Sequence, residues 1–129
     1  MPRHTFEVRE ERGVTILDDT HNASPASVKA AIAWARNQPM KEKILLASGL
    51  IELGEVQEKI TTEWGANASP ILTRAIFLHR KSALDFARGF GKPVELLENN
   101  TPRVAPGSLL LCIGRMPQAT IQRVLPKNP

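Results

Sequence analysis

Short apolar runs at residues 14–17, 44–47, 76–78, 94–97 and 109–113 punctuate the chain. Each is too short for a helix and lacks the strict alternation of a strand with one wet face, so each predicts a buried parallel strand. Helical spacing fills the intervals. Val28, Ala31, Ile32 and Ala35 share one face, as do Ala83, Phe86, Ala87 and Phe90, while Val56, Ile60 and Trp64 recur every fourth residue. Ser24 is expected to cap a helix that has Pro25 at its first position. Ser82, with Asp85 three residues on, is expected to start another, and Gly89 to Gly91 to stop it. An extra edge strand is expected at residues 5–8. The β, α, β, α alternation predicts an α/β fold: a doubly wound, mostly parallel sheet of about six strands with helices on both faces.

The chain has 129 residues, which predicts a single domain over 1–129. It is 42% hydrophobic and 23% charged, which excludes disorder and fibrous repeats. One cysteine, Cys112, excludes an internal disulfide framework, and the scattered histidines argue against a structural zinc site. No apolar run reaches the roughly 20 residues of a membrane helix, and the start lacks a secretory apolar stretch, so a cytoplasmic location and no membrane partner are expected. The net charge of +4 invites a nucleic-acid reading. Aromatic residues make up only 5%, tyrosine is absent and the basic residues are dispersed among acidic ones, so no nucleic-acid partner is expected.

Ligands of such sheets sit beyond the carboxyl ends of the strands, which directs attention to residues 18–25, 48–55, 79–81, 99–102 and 114–117. The first of these loops, Asp18-Asp19-Thr20-His21-Asn22-Ala23-Ser24-Pro25, concentrates carboxylates, an imidazole, an amide and hydroxyls in one strand-to-helix turn. An ordinary capped turn uses the same residue types. A ligand site would use the helix N-terminus for an anion and Asp19 and Asn22 for hydroxyl or amine groups. Gly49-Leu50-Ile51-Glu52-Leu53-Gly54 has the glycine spacing of a P-loop, but Glu55 and Val56 stand where lysine and serine or threonine are required. A carboxylate there repels phosphate, so no complete triphosphatase site is expected. Cys112 sits in an apolar run and reads as a buried, inert thiol. His79 reads as an exposed loop residue, and Trp34 and Trp64 as packing residues.

The residues from Gly13 to Ala31, centred on Asp18-Asp19-Thr20-His21-Asn22-Ala23-Ser24-Pro25, resemble the Asp-Asp-(Ser/Thr)-Tyr-Asn-Ala-Asn-Pro stretch of the Mur ligase C-terminal domain. They look most like the members that add D-alanyl-D-alanine to a UDP-muramoyl tripeptide. Gly49-Leu50-Ile51-Glu52-Leu53-Gly54-Glu55 is similar to the family's second motif, and Pro2-Arg3 to the segment that opens its third domain. The resemblance implies a Rossmann-like domain of an ATP-dependent amide ligase in peptidoglycan precursor synthesis. ATP and Mg would be bound mainly by a central domain upstream, which this chain lacks. The partners implied are that upstream domain, a UDP-linked or other carboxylate substrate, and an amino acid or dipeptide. The motif positions that approach the nucleotide fall on Arg3, Asp19 and Asn22, with His21, Ser24, Glu52 and Arg115 as substrate-side candidates. No catalytic residue and no metal ligand is assigned to this chain, and the isolated chain is expected to be inactive. His21 replaces the usual tyrosine, Ser24 an asparagine, and Thr61 a histidine common in the helix after the second motif.

Two other readings stay open. His21-Asn22 also resembles the His-Asn-Pro of folylpolyglutamate and cyanophycin-type synthetases, and a non-catalytic small-molecule binding or interaction domain needs no ligation chemistry.

Overall fold

A computed structural model describes residues 6–21, 24–49 and 54–128. Six strands form one sheet, in the order β1-β2-β6-β3-β4-β5. They are β1 (Glu7–Glu11), β2 (Val14–Asp19), β3 (Lys43–Ala47), β4 (Arg74–Phe77), β5 (Glu95–Leu96) and β6 (Leu109–Ile113). β1 pairs antiparallel with β2, and all other pairings are parallel. Helices α1 (Pro25–Arg36), α2 (Gln57–Ala68) and α3 (Arg80–Phe90) are the successive crossovers, and α4 (Gln118–Gln122) follows the last strand. Crossovers of one hand stepping in one direction put their helices on one face. Accordingly Ala31, Trp64 and Phe86, from the three crossover helices, pack with Leu45, Phe77 and Leu111 on one side of the sheet. The other side, Ile16, Leu46 and Cys112 among them, is covered by Val104 and by Ile121, Val124 and Leu125. Helices thus lie on both faces, but unequally. Among the described residues no helix is long and apolar enough to cross a membrane.

α1 forms where its local signals place it. The Ser24 side chain accepts from the Ser27 amide at 3.2 Å, Pro25 opens the helix, and Val28, Ala31, Ile32 and Ala35 are buried. Other boundaries differ from expectation. The edge strand runs over Glu7–Glu11 rather than 5–8, and forms a hairpin whose two-residue turn, Arg12 and Gly13, has φ of 50° and 80°. That left-handed pair matches the twist of the flanking strands. Residue 5 lies outside the described residues. α3 starts at Arg80, not after Ser82, and Asp85 is not a cap: it is 2% exposed and held by Lys81 at 2.9 Å. The helix also runs through Gly89 and ends at Gly91, whose φ of 69° suits only glycine well. Val56 precedes α2 and is exposed, so the buried stripe of that helix is Thr61, Trp64, Gly65 and Ala68. β5 is shorter than residues 94–97, and Glu95 there takes a two-pronged hydrogen bond from Arg74 at 2.6 and 2.8 Å.

α2 and α3 cross backbone to backbone. A Cβ on Gly65 would lie 2.9 Å from the Phe90 nitrogen, and one on Gly89 would lie 2.7 Å from the Ala66 nitrogen. Next to this crossing, Trp64 stands edge-on to Phe86 with ring centroids 5.1 Å apart.

Candidate functional site at the carboxyl edge of the sheet

The carboxyl ends of β2, β6, β3 and β4 fall on one edge because these strands are parallel, and β1 brings Glu7 opposite Asp18 at the same edge. Backbone bonds continue past the strand ends. Gly114 N–H donates to the Asp19 carbonyl at 3.4 Å, Ser48 N–H to Ile113 at 3.1 Å and Leu78 N–H to Ala47 at 3.0 Å. Glycine lets the loops after β6 and β3 meet, since a Cβ on Gly114, whose φ is 92°, would lie 3.1 Å from the Gly49 carbonyl oxygen. The loops are therefore held at fixed spacing before any ligand arrives.

Adjacent aspartates at the end of β2 take different roles. Asp18 is fully engaged within the protein. It accepts from Arg9 at 2.6 Å, from Gln118 at 2.9 Å, and from the Thr20 hydroxyl and amide at 2.7 and 3.1 Å. Burial pushes its carboxyl up, but the hydrogen bonds from Arg9, Thr20 and Gln118 outweigh burial and hold it at about 2. Arg9 reaches from β1 and Gln118 from α4, so this one carboxylate ties the β1–β2 hairpin to a helix a hundred residues further along the chain. Asp19, 4% exposed, accepts a short hydrogen bond from the Ser27 hydroxyl in the first turn of α1. It thereby couples the strand end to the helix capped by Ser24.

Two adjoining cavities open here. One of about 300 Å³ is lined by Glu7, Arg9, Asp18, Asp19, His21 and Gln118. Its neighbour, about 660 Å³, is lined by Thr20, His21, Arg115, Met116, Pro117 and Gln118. His21 and Gln118 border both. Of the residues singled out from sequence, Asp19, His21 and Arg115 are thus brought to one place, and Ser24 caps the adjacent helix. Arg3, Asn22 and Glu52 lie outside the described residues. The loops at 79–81 and 99–102 do not line either cavity. Sequence reasoning missed Arg9 and Gln118. A lone arginine among the glutamates of a strand was a signal for the first, whereas only the tertiary fold reveals the second.

Cys112 lies in β6 and is buried, which pushes its thiol far above the ordinary cysteine range. Among the described residues no three His, Cys, Asp or Glu side chains gather as a metal cage.

No protein-family model matches the chain. It is 33% identical over 89 residues, 68% of its length, to the UDP-N-acetylmuramoyl-tripeptide–D-alanyl-D-alanine ligase of Bacillus subtilis (strain 168). It spans about a fifth of that relative, the alignment covering 20% of it. Among solved structures it is similar to the MurF ligase of Thermotoga maritima in complex with ADP, with a TM-score of 0.70 and 25% identity over 96% of this chain and 30% of that one. A MurF structure from Acinetobacter baumannii shares the fold, with a TM-score of 0.68 at 14% identity over 96% of this chain and 29% of that one.

Proposed function

Since the chain is a Mur ligase C-terminal domain, we propose that it serves as the closing part of an ATP-dependent ligase that adds D-alanyl-D-alanine to a UDP-linked muramoyl tripeptide in the cytoplasm. The observation that carries this reading is the convergence of Asp19, His21 and Arg115 around adjoining cavities on a prebuilt sheet edge. Their polar lining suits a ribose, a phosphate or a carboxylate, and among the described residues no cluster of His, Cys, Asp or Glu forms a cage for Mg²⁺. In this reading the triphosphate and its Mg²⁺ are bound chiefly by a central domain of the complete ligase.

When bound there, ATP passes its terminal phosphoryl group to the substrate carboxylate, and the incoming amine displaces phosphate to form the amide. This chain's residues bind and orient around that reaction. Arg115 and His21 present donors to an anionic group. Asp19, held by Ser27, borders the smaller cavity, where its carboxylate would meet a ribose hydroxyl or an amine. Asp18 fixes the end of β2 and the loop that follows it, and closure of the domain would exclude water. By itself the 129-residue chain is expected to turn over no ATP.

The test is a complete ligase carrying this domain. Asp19→Ala should lower kcat/KM for ATP roughly tenfold or more, the size of one lost charge-assisted contact. The exposed control Glu10→Ala should leave it unchanged, and a thermal scan should show both proteins folded. Equal ATP KM and kcat in the two variants would remove the nucleotide role from this loop.

A further inference from the structure

On the helical face of the sheet, α1 and α2 part and leave a groove of about 540 Å³ whose floor includes Val28, Ile32, Ile60, Trp64 and Ile71. That volume falls in the range of small-molecule sites, which are mostly apolar with a few polar groups. Trp64 is 4% exposed, and its indole N–H is buried with no hydrogen-bond partner. The α1 wall carries Lys29 and Arg36, seven residues and two helical turns apart, both exposed and in no ion pair among the described residues. Glu63 is the one acidic residue in the lining. The groove therefore combines an apolar floor with a cationic wall.

We propose that this groove binds a small amphiphilic anion: an aryl or alkyl body on the floor, with a carboxylate, sulfonate or phosphate head facing Lys29 and Arg36. Pro25, at one end of the lining, begins the turn of α1 in which Ser27 holds Asp19. A ligand wedged between α1 and α2 thus acts on the same helix that positions the carboxyl edge. The proposal does not depend on the ligase reading, because its readout is binding by the chain itself.

The experiment titrates the ¹⁵N-labelled 129-residue chain with naphthalene-2-sulfonate and, separately, with the neutral 2-naphthalenemethanol. We expect saturable one-to-one binding of the sulfonate, amide shifts concentrated in α1 and α2, and movement of the Trp64 indole signal with that of Trp34 as the internal control. The surface double variant Lys29→Glu with Arg36→Glu should weaken the sulfonate roughly tenfold, as expected for reversing two exposed charges, and leave the neutral probe within about twofold. Ile32→Glu should weaken both probes; where that variant fails to fold, the charge-reversed pair decides. Non-saturating shifts, shifts scattered over the surface, or equal sulfonate affinity in the charge-reversed variant would overturn the proposal. So would sedimentation showing that the groove is closed by a second copy of the chain or by a helix from another domain of the ligase.

Discussion

Replacing Gly65 or Gly89 with alanine sets two physical effects against each other. Helix propensity favours alanine by about 1 kcal/mol at an interior position, so propensity alone predicts a more stable protein. The crossing of α2 and α3 predicts the reverse. A Cβ on Gly65 would lie 2.9 Å from the Phe90 nitrogen and closer still to the Phe86 carbonyl oxygen. One on Gly89 would lie 2.7 Å from the Ala66 nitrogen and closer still to the Thr62 carbonyl oxygen. These obstacles are backbone atoms of helices and cannot rotate away, so the helices must separate. Separation strips packing from Trp64 and Phe86, and strains the hydrogen bonds from the Thr62 hydroxyl to the Asp85 carbonyl and from the Ser69 hydroxyl to the Phe90 carbonyl, at 3.0 and 2.7 Å. Overpacking costs roughly 1–3 kcal/mol, and here it falls at the upper end because no side chain can yield. After the propensity gain, each variant should lose about 1–2 kcal/mol, and the double variant should lose less than the sum, since one separation relieves both clashes. The assay is urea unfolding followed by tryptophan fluorescence, where a loss of this size lowers the midpoint by roughly 1 M. Ala66→Gly, exposed on the same helix, is the propensity control and should lose about 1 kcal/mol. A Gly65→Ala protein as stable as the parent would refute the close crossing.

Two further expectations rest on buried groups. Cys112 should react with a thiol reagent only as fast as the protein unfolds, and stoichiometric labelling within seconds in native buffer would contradict its place in the central strand. Asp18 is ionised in the folded state down to about pH 2, against 3.8 for an ordinary aspartate, so its contribution of about 2 kcal/mol is complete above pH 4 and lost as pH falls toward 2. Asp18→Asn should be less stable at pH 7 and show a flatter stability profile between pH 4 and pH 2; an unchanged acid profile would count against the Arg9 and Gln118 bonds.

What was legible in the sequence divides along a physical line. β2, β3 and β6 are apolar on both faces because both faces are covered, so their runs stand out without any knowledge of neighbours. α1 carries its own boundary in Ser24 and Pro25. The start of α3 does not: His79 caps without a side-chain bond, while Ser82 and Asp85 imitate a capping pair although α3 has already begun two residues earlier. Gly89 looked like punctuation and instead serves a crossing that exists only once α2 is in place. The β1 hairpin was obscured by a charged strand whose Arg9 points its charge at a buried aspartate.

The site shows the same division more sharply. Its loops could be located because parallel strands send all their carboxyl ends to one edge, and the topology alone dictates that. The roles of the two aspartates could not, since Asp18 and Asp19 differ only in what the fold brings to them. β6 is the last strand in the chain yet lies between β2 and β3, so Arg115 and Gln118 reach residues near position 20 only after the sheet is complete. Asp18 is then spent on Arg9, Thr20 and Gln118. Asp19 is instead tied to the helix through Ser27, and both aspartates border the smaller cavity. A pair of identical side chains is thereby given different partners, and one of them, Gln118, lies a hundred residues away, where no local pattern around residue 18 can show it.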